Sequence, residues 1–146
     1  MRVLIQRIAR GSVKVNQQFV ADEIQQGLMI FLGIGKEDSE EKANLLAKKI
    51  SNLRIFGDEE GKMNLSIKDI GGKAIVVSQF TLYADTKKGN RPSFINAEAP
   101  ETADHLVNYF ANVLKNEGVP TQQGEFGAHM MVELVNDGPV TIWMEL

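Results

Sequence analysis

The chain has 146 residues, enough for one domain, and its 43% hydrophobic and 24% charged content is typical of a folded globular protein. It has no cysteine and only two histidines, which excludes disulfides, thiol nucleophiles and cysteine-ligated metals and argues against a histidine metal site. The net charge of −3 argues against sequence-independent wrapping of DNA or RNA, but leaves open a contact with one RNA end. We therefore expect a single domain over residues 1–146, without metal or other cofactor and without DNA as a partner.

No part of the sequence predicts contact with a membrane. The longest apolar run, residues 28–32, is far shorter than the ~20 residues that a membrane-spanning helix needs. Arg7 interrupts the apolar amino-terminal segment, which is typical of a strand and not of a secretion signal. We expect a cytoplasmic protein.

The first third of the chain is predicted to form β-structure. Val3, Ile5, Arg7 and Ala9 fall on one face of a strand, and Val13 and Val15 resume this alternation after Gly11. Asn16-Gln17 is a turn, and strands follow over residues 19–24 and 28–34. The last of these strands is almost entirely apolar, as expected when both of its faces are covered.

Two amphipathic helices are predicted. Asp38 and Glu41 form a D-x-x-E capping pattern that opens the first helix, and an apolar stripe continues it to Leu53. The second helix runs from about Pro100 to Glu117, and the glycine and proline that follow supply its end.

The remaining segments complete the predicted fold. Residues 73–80 form a buried strand, and residues 81–96 form a long irregular segment of the kind that often carries function. Two strands over residues 130–135 and 140–146 are joined by a hairpin turn at residues 136–139. Many strands around two helices, without β–α–β alternation, predict an α+β domain with a mostly antiparallel, barrel-like sheet.

A conventional hydrolytic triad is hard to build from this sequence. A serine or threonine nucleophile needs an adjacent base, usually histidine. His105 falls within the second predicted helix and favours a solvated position, and His129 precedes a strand and favours a structural role. An enzyme of this composition would rely on backbone groups and on the reactivity of its substrate.

Two segments are not explained by the fold alone. Residues 78–82 (Ser-Gln-Phe-Thr-Leu) follow a core strand, where they form either an ordinary polar strand end or a group of hydroxyl, amide and N–H functions at the sheet rim. Pro139 stands where a returning hairpin strand would donate a hydrogen bond, and proline has no N–H. The alternative to a plain turn is a locked Gly138-Pro139 bend, cis or trans, that exposes two carbonyl oxygens.

With these segments the chain resembles the D-aminoacyl-tRNA deacylase family along its whole length. Five segments in order carry the resemblance: residues 1–7, residues 54–56 with 61–64, residues 78–82, residues 91–94 and residues 136–141. The resemblance implies a homodimer that hydrolyses the ester between a D-amino acid and the terminal adenosine of tRNA. Rejection of L-residues by a steric clash would also admit glycyl-tRNA.

The resemblance also implies roles for individual residues. The pocket would be lined by Ser78, Gln79, Phe80 and Thr81, and chirality would be selected by Gly138 and Pro139 of the partner subunit. The supporting residues would be Arg7, Asn136 and Thr141. The basic residues Lys87, Lys88 and Arg91 form either a solvated loop or a contact with the tRNA acceptor end. The alternatives to a deacylase are a non-catalytic module that binds an RNA 3′ end and a structural β-rich dimer.

Overall fold

A computed structural model describes residues 1–146. The strands are β1 (Arg2–Val15), β2 (Gln18–Ile24), β3 (Gly27–Gly33), β4 (Phe56–Gly57), β5 (Met63–Leu65), β6 (Lys73–Ser78), β7 (Thr121–Gln123) and β8 (Met131–Glu145). The helices are α1 (Glu40–Ser51) and α2 (Pro100–Asn116). A short 3₁₀ turn over Phe80–Tyr83 follows β6, and we call it the site turn. No helix has both the length and the apolar character needed to cross a membrane.

One six-stranded sheet, with β1 at its centre, forms the body of the molecule. β1 pairs antiparallel with β2 and β3 along one edge and with β8 along the other, whereas β3–β6 and β6–β7 are parallel. The sheet curls until β7 approaches β2, where the Gln122 side chain accepts from Asp22 N–H (2.8 Å) and donates to Asp22 O (3.2 Å). The predicted α+β fold with a barrel-like sheet is confirmed, with two parallel pairings added.

Strand alternation sorts the apolar side chains between two cores. On β3, Leu28, Ile30 and Leu32 belong to the core shared with the two helices. Met29, on the other face of the same strand, belongs to the core inside the curled sheet, and the half-buried Phe31 packs against that core. β3 is therefore covered on both faces, as its apolar sequence predicted.

The helices are present, but the predicted cap and end of α1 were wrong. Ser39 is the N-cap residue, and its hydroxyl accepts from Lys42 N–H (3.4 Å). The Asp38 carboxylate accepts from no backbone N–H of this helix and instead binds the α-ammonium of Met1, Gly35 N–H and the Lys42 side chain. α1 ends at Ser51 and not at Leu53, because the Asn52 side chain donates to the carbonyl oxygen of Lys48 (2.7 Å) and closes the last turn.

The predicted hairpin at residues 136–139 was also wrong. β8 runs on as one strand antiparallel to β1, with Thr141 opposite Gln6 and Asn136 opposite Ile8. Residues 137–140, which we call the Gly-Pro loop, therefore have only Arg7 opposite them and bulge out of the ladder. The chain does not reverse because β1, 14 residues long, offers pairing partners on both sides of the bulge.

Asp38 forms the centre of a buried polar cluster between the chain ends and the site turn. Its side chain is 3% exposed and contacts the α-ammonium of Met1 (2.5 Å) and Lys42 Nζ (3.3 Å). It also accepts from Gly35 N–H (2.7 Å) and the Tyr83 hydroxyl (3.2 Å). Burial opposes its ionisation, but the hydrogen bonds and the charge of the α-ammonium outweigh burial and hold the Asp38 pKa below its ordinary value.

We expect Asp38→Asn to lower the free energy of unfolding at pH 7 by about 3 kcal/mol, because it leaves a buried ammonium without its counter-charge. Since the Asp38 pKa is lowered in the folded protein, its stabilisation is present above the unfolded-state pKa and is lost as pH falls through the folded-state pKa. Below about pH 4, the free energy of unfolding measured with urea should therefore fall more steeply with decreasing pH for the original chain than for the variant. The exposed Glu59→Gln is the control, and parallel pH curves for the original chain and Asp38→Asn would contradict the assignment.

Candidate active site

A cavity of about 560 Å³ opens beside the carboxyl end of β6. Its volume lies in the range of roughly 300–1,000 Å³ that is usual for small-molecule sites. The wall is mainly apolar, with 11 hydrophobic residues among 17, and is built from the ends of β3 and β6, the site turn, the start of α2 and residues 126–132. Such a wall binds an organic group and leaves specificity to the few polar groups at its edge.

Three of the sequence-predicted site residues, Ser78, Gln79 and Phe80, line this cavity. β6 ends at Ser78, two residues earlier than predicted, and Gln79 N–H still bonds to Leu32 O of β3 (2.8 Å). The chain then turns, because Leu82 N–H bonds to Gln79 O (3.2 Å) instead of to a neighbouring strand. This change of direction leaves Phe80 on the cavity wall and Thr81 on the exposed surface beside it.

Thr81 lies on the exposed side of the site turn and is not among the residues that line the cavity. Its hydroxyl accepts a hydrogen bond from the Gln79 side-chain amide. The titratable lining groups are Glu98, which accepts from Ala99 N–H (2.7 Å), and His129. Because neither Ser78 nor Thr81 hydrogen-bonds to a histidine, the structure contains no activated hydroxyl nucleophile of the usual kind.

Aromatic rings form one side of the cavity. The Phe80 and Phe94 rings pack edge to face, with centroids 5.0 Å apart, and Phe126 also lines the wall. The Phe80 side chain is nevertheless 58% exposed, so that part of its ring surface remains open for contact. Such rings can stack on the base of a nucleotide.

Sequence patterns contain no sign that Phe126 and His129 belong to this wall. Both lie in an irregular segment before β8, where no periodicity relates them to β6. The parallel pairing of β6 with β7 brings that segment to the cavity. His129, predicted to be structural, is an exposed wall residue.

The Gly-Pro loop lies elsewhere on the surface. The Gly138-Pro139 peptide bond is cis, and both residues are exposed. Gly138 has φ +139°, and a Cβ there would lie 2.8 Å from a Val140 methyl and 3.1 Å from an Arg7 guanidinium nitrogen. Only glycine is accommodated at this position without a shift of its neighbours.

Arg7 holds the base of the loop from the opposite strand. Its Nε donates to the carbonyl oxygen of Asp137 (3.0 Å), and its Nη1 donates to that of Ile55 (2.7 Å). The Asp137 carboxylate lies 3.4 Å from the same Nε. The guanidinium therefore gives a partner to Asp137 O, which the bulge takes out of the ladder, and it links the loop to Ile55.

Asn136 closes the loop from its own strand. Its Oδ1 accepts from Val140 N–H (2.8 Å), and its Nδ2 donates to Val140 O (3.2 Å). The same Nδ2 donates to the Thr141 hydroxyl (3.1 Å), which also accepts from Gln6 Nε2 (3.1 Å). The structure thus brings Arg7, Asn136 and Thr141 together around the loop.

The loop and the cavity of one chain are far apart. Neither Gly138 nor Pro139 lines the cavity. Arg7, opposite the loop, pairs with Leu28, which pairs with Ala74, four residues before Ser78. The path from β8 over β1 and β3 to β6 crosses three strand spacings of about 4.8 Å each, and the offset along the strands is four residues of about 3.3 Å each. Because these two distances are perpendicular within the sheet, together they give a separation of roughly 20 Å.

The three basic residues lie on an exposed loop beyond the site turn. Asp85 and Ser93 exchange backbone hydrogen bonds (2.7 and 3.0 Å) and close this loop at its base. Lys87, Lys88 and Arg91 are exposed, and none of them forms an ion pair. Three uncompensated cations thus lie next to the segment that leads to Phe94.

Nowhere do three His, Asp or Glu side chains gather in a way that would hold a metal ion.

Comparison with known proteins identifies close relatives. A family profile described as "D-Tyr-tRNA(Tyr) deacylase" matches residues 4–145. Proteins named D-aminoacyl-tRNA deacylase are similar over 99% of this chain: that of Roseiflexus sp. (strain RS-1) is 57% identical with 93% of its length covered, and that of Thermotoga petrophila is 50% identical with 97% covered.

Two solved structures are also similar. One, described as "c-Myc DNA Unwinding Element Binding Protein", has a TM-score of 0.92 at 38% identity and covers 100% of this chain and 99% of that chain. The other, described as "Structural Analysis of a probable eukaryotic D-amino acid tRNA deacylase", has a TM-score of 0.83 at 19% identity and covers 99% and 98%. The second likeness concerns the fold alone.

We expect Asn136→Ala to lower the free energy of unfolding by about 1–3 kcal/mol, because it leaves the backbone groups of Val140 without partners inside the bulge. Amide exchange at Val140 should accelerate, whereas exchange at Ile5 and Ile30 of the central sheet should change only by the global amount. Asn108→Ala, which removes an exposed side chain on α2, is the control. Unchanged protection of Val140 would show that Asn136 does not fix the loop.

Proposed function

Because the chain belongs to the D-Tyr-tRNA(Tyr) deacylase family, we propose that it hydrolyses the ester bond of D-aminoacyl-tRNA, releasing a free D-amino acid and tRNA. The observation that carries this function is the apolar cavity edged by Ser78 and Gln79 at the end of β6, in a chain that shares its full length with named deacylases. The enzyme is a carboxylic ester hydrolase.

The chemistry does not require a nucleophilic side chain. An aminoacyl ester is already activated, and the neighbouring ribose 2′-hydroxyl can assist the attack of water. Water adds to the carbonyl carbon, the bond from that carbon to the ribose oxygen breaks, and the ribose oxygen takes up a proton. The protein supplies orientation and N–H groups of the site turn near Phe80 for the developing oxyanion. The Thr81 hydroxyl, already bound to Gln79, positions these groups and does not attack.

A second copy of the chain completes the site. The Gly-Pro loop is exposed and lies roughly 20 Å from the cavity of its own chain, so it cannot contact a substrate bound there. In a two-fold symmetric dimer each chain would place its loop at the cavity of the other. The outward side of β8 carries three exposed apolar side chains for such contact, Met131, Val135 and Trp143, and the last is 47% exposed.

Selection for chirality follows from the loop. Carbonyl oxygens of Gly138 and Pro139, held by Arg7 and Asn136, accept hydrogen bonds from the substrate ammonium. An L-residue would direct its Cβ into this backbone, while a D-residue directs its side chain away. Glycine has no Cβ, so glycyl-tRNA is also a substrate, including glycine mischarged on a non-cognate tRNA.

Contact with tRNA is confined to the acceptor end. The terminal adenine stacks in the aromatic part of the cavity, and Lys87, Lys88 and Arg91 neutralise phosphates of the same strand. The net charge of −3 favours this local contact over binding along the whole tRNA. Since aminoacyl-tRNA is made and used in the cytoplasm, we place the enzyme there.

A second candidate function is binding of nucleic acid without hydrolysis. The 38% identical structure is described as that of a protein that binds a DNA unwinding element. The two functions differ in a measurable way, because only the first removes an ester.

We expect D-tyrosyl-tRNA to be cleaved at least a hundredfold faster than L-tyrosyl-tRNA, a difference of about 2.7 kcal/mol in activation free energy. Glycyl-tRNA should also be cleaved, because exclusion by a clash requires a Cβ. The measurement is ester loss from labelled D-tyrosyl-, L-tyrosyl-, glycyl- and L-alanyl-tRNA with and without the protein.

Equal survival of D-esters with and without protein would contradict the deacylase function. If the protein then bound duplex DNA with micromolar or better affinity, the second candidate would stand. Survival of glycyl-tRNA alongside cleavage of the D-ester would show that the site recognises the D side chain itself, and exclusion by a clash would be wrong.

The dimer is tested by mixing two inactive variants. Gln79→Ala damages the cavity edge, and Gly138→Ala displaces the loop through contact with Val140. Each heterodimer has one intact cavity facing one intact loop, so an equimolar, fully exchanged mixture should recover about a quarter of the original activity. No recovery in a mixture shown to exchange subunits would place the loop at its own chain's cavity.

A further inference from the structure

The site turn needs support beyond β6. The residue before the turn, Gln79, is hydrogen-bonded to β3. Phe80 and Thr81 are exposed, however, and the chain beyond Ala84 enters the long exposed loop. A short 3₁₀ turn has little stability of its own. Contacts at its far end, through Leu82 and Tyr83, therefore decide where Phe80 and Thr81 point.

Tyr83 packs directly on the backbone at the end of β3. A Cβ at Gly35 would lie 2.5 Å from the Tyr83 ring carbon Cζ and from its hydroxyl. A Cβ at Gly33 would lie 2.9 Å from Gln79 O and 3.1 Å from Leu82 Cβ. Neither glycine leaves room for a side chain, so the turn and the strand end are in close contact over two residues.

The Tyr83 hydroxyl is fixed by Asp38. It donates to Asp38 Oδ2 (3.2 Å), the same oxygen that accepts from Gly35 N–H (2.7 Å). Burial, with the charge of Asp38, raises the Tyr83 pKa far above its ordinary value, so the hydroxyl remains a donor at physiological pH. The carboxylate thus joins the start of α1, the end of β3 and the site turn.

Arg2 holds the turn from the other side. Its guanidinium lies 4.4 Å from the centroid of the Tyr83 ring, and its Nη1 donates to the carbonyl oxygen of Leu82 (3.1 Å). Its Nε donates to Glu145 on β8 (2.8 Å), which fixes the guanidinium itself. A cation over an aromatic face is attractive, and the planar fork adds a directed hydrogen bond.

We infer that Tyr83, held by Asp38 and Arg2, is a positioning residue for the hydrolysis, because it fixes the site turn, which places Phe80 on the cavity wall and carries the N–H groups proposed for the developing oxyanion. None of these three residues lines the cavity, so each acts through the turn. The inference rests on the proposed function and extends it to residues outside the pocket. Its consequence is that Tyr83 controls the rate of the chemical step more than the binding of tRNA, which uses the aromatic wall and the basic loop.

The test compares Tyr83→Phe with Tyr109→Phe, which removes the same atom from the other tyrosine, on α2. In single-turnover reactions with D-tyrosyl-tRNA, we expect Tyr83→Phe to lower the maximal rate about tenfold and to change the half-saturating enzyme concentration less than twofold. Tyr109→Phe should change neither. Reactions are run at a temperature where circular dichroism shows all proteins fully folded.

Amide exchange supplies a local measurement that general destabilisation does not reproduce. The Leu82 and Ala84 amides bond to Gln79 O and Thr81 O within and beside the turn. We expect Tyr83→Phe to accelerate exchange at these two amides while Ile30 stays unchanged. The inference would be overturned if the maximal rate of Tyr83→Phe equalled that of Tyr109→Phe, or if its slower cleavage came only from a higher half-saturating enzyme concentration. Unchanged exchange at Leu82 and Ala84 would also overturn it.

Arg2 provides a second route if Tyr83→Phe does not fold. Arg2→Met removes both the cation and the Leu82 hydrogen bond and should lower the maximal rate severalfold, whereas Arg2→Lys, which keeps the cation over the ring, should recover part of the loss. Equal rates for Arg2→Met and the original chain would overturn the inference. Failure of the original chain to cleave any D-ester would instead contradict the proposed function, so the two failures are distinguishable.

Discussion

The pairing of β1 with β8 on both sides of the Gly-Pro loop is the constraint on which the other features depend. Because the ladder resumes after the bulge, both ends of the loop are fixed and its four residues must leave the sheet together. Arg7 and Asn136 then satisfy the backbone groups that the bulge frees. The same strand pairing brings Glu145 beside Arg2 and so connects β8 to the site turn.

Periodicity predicted the local structure well where the apolar pattern allowed only one arrangement. The apolar strand at residues 28–34 and the stripe of α2 are examples, since burial on the available faces leaves few other arrangements. The hairpin at residues 136–139 failed for a tertiary reason. Asn-Asp-Gly favours chain reversal locally, but long-range pairing with β1 on both sides outweighs that preference.

The site was predictable only in part, for a related reason. Polar residues directly after a core strand indicated either an ordinary strand end or a site, and only the family resemblance assigned Ser78, Gln79 and Phe80 to the pocket. Phe126 and His129 reach the cavity through the parallel β6–β7 pairing, which no local pattern encodes. For Asp38 the local pattern predicted a role that the structure does not show. Its sequence context is typical of a helix cap, but its carboxylate binds the buried α-ammonium and Ser39 caps the helix.

The roughly 20 Å between the Gly-Pro loop and the cavity has a consequence for the proposed activity at low protein abundance. If each cavity depends on a loop from another chain, a lone chain has a pocket without the carbonyl oxygens that bind the substrate ammonium, and such a pocket is inactive. The specific activity then falls on dilution below the dissociation constant of the dimer, because the fraction of assembled sites falls with it. Hydrolysis of D-aminoacyl-tRNA would therefore increase more than proportionally with the concentration of the protein. In a cell that keeps this concentration low, glycyl-tRNA would not be hydrolysed.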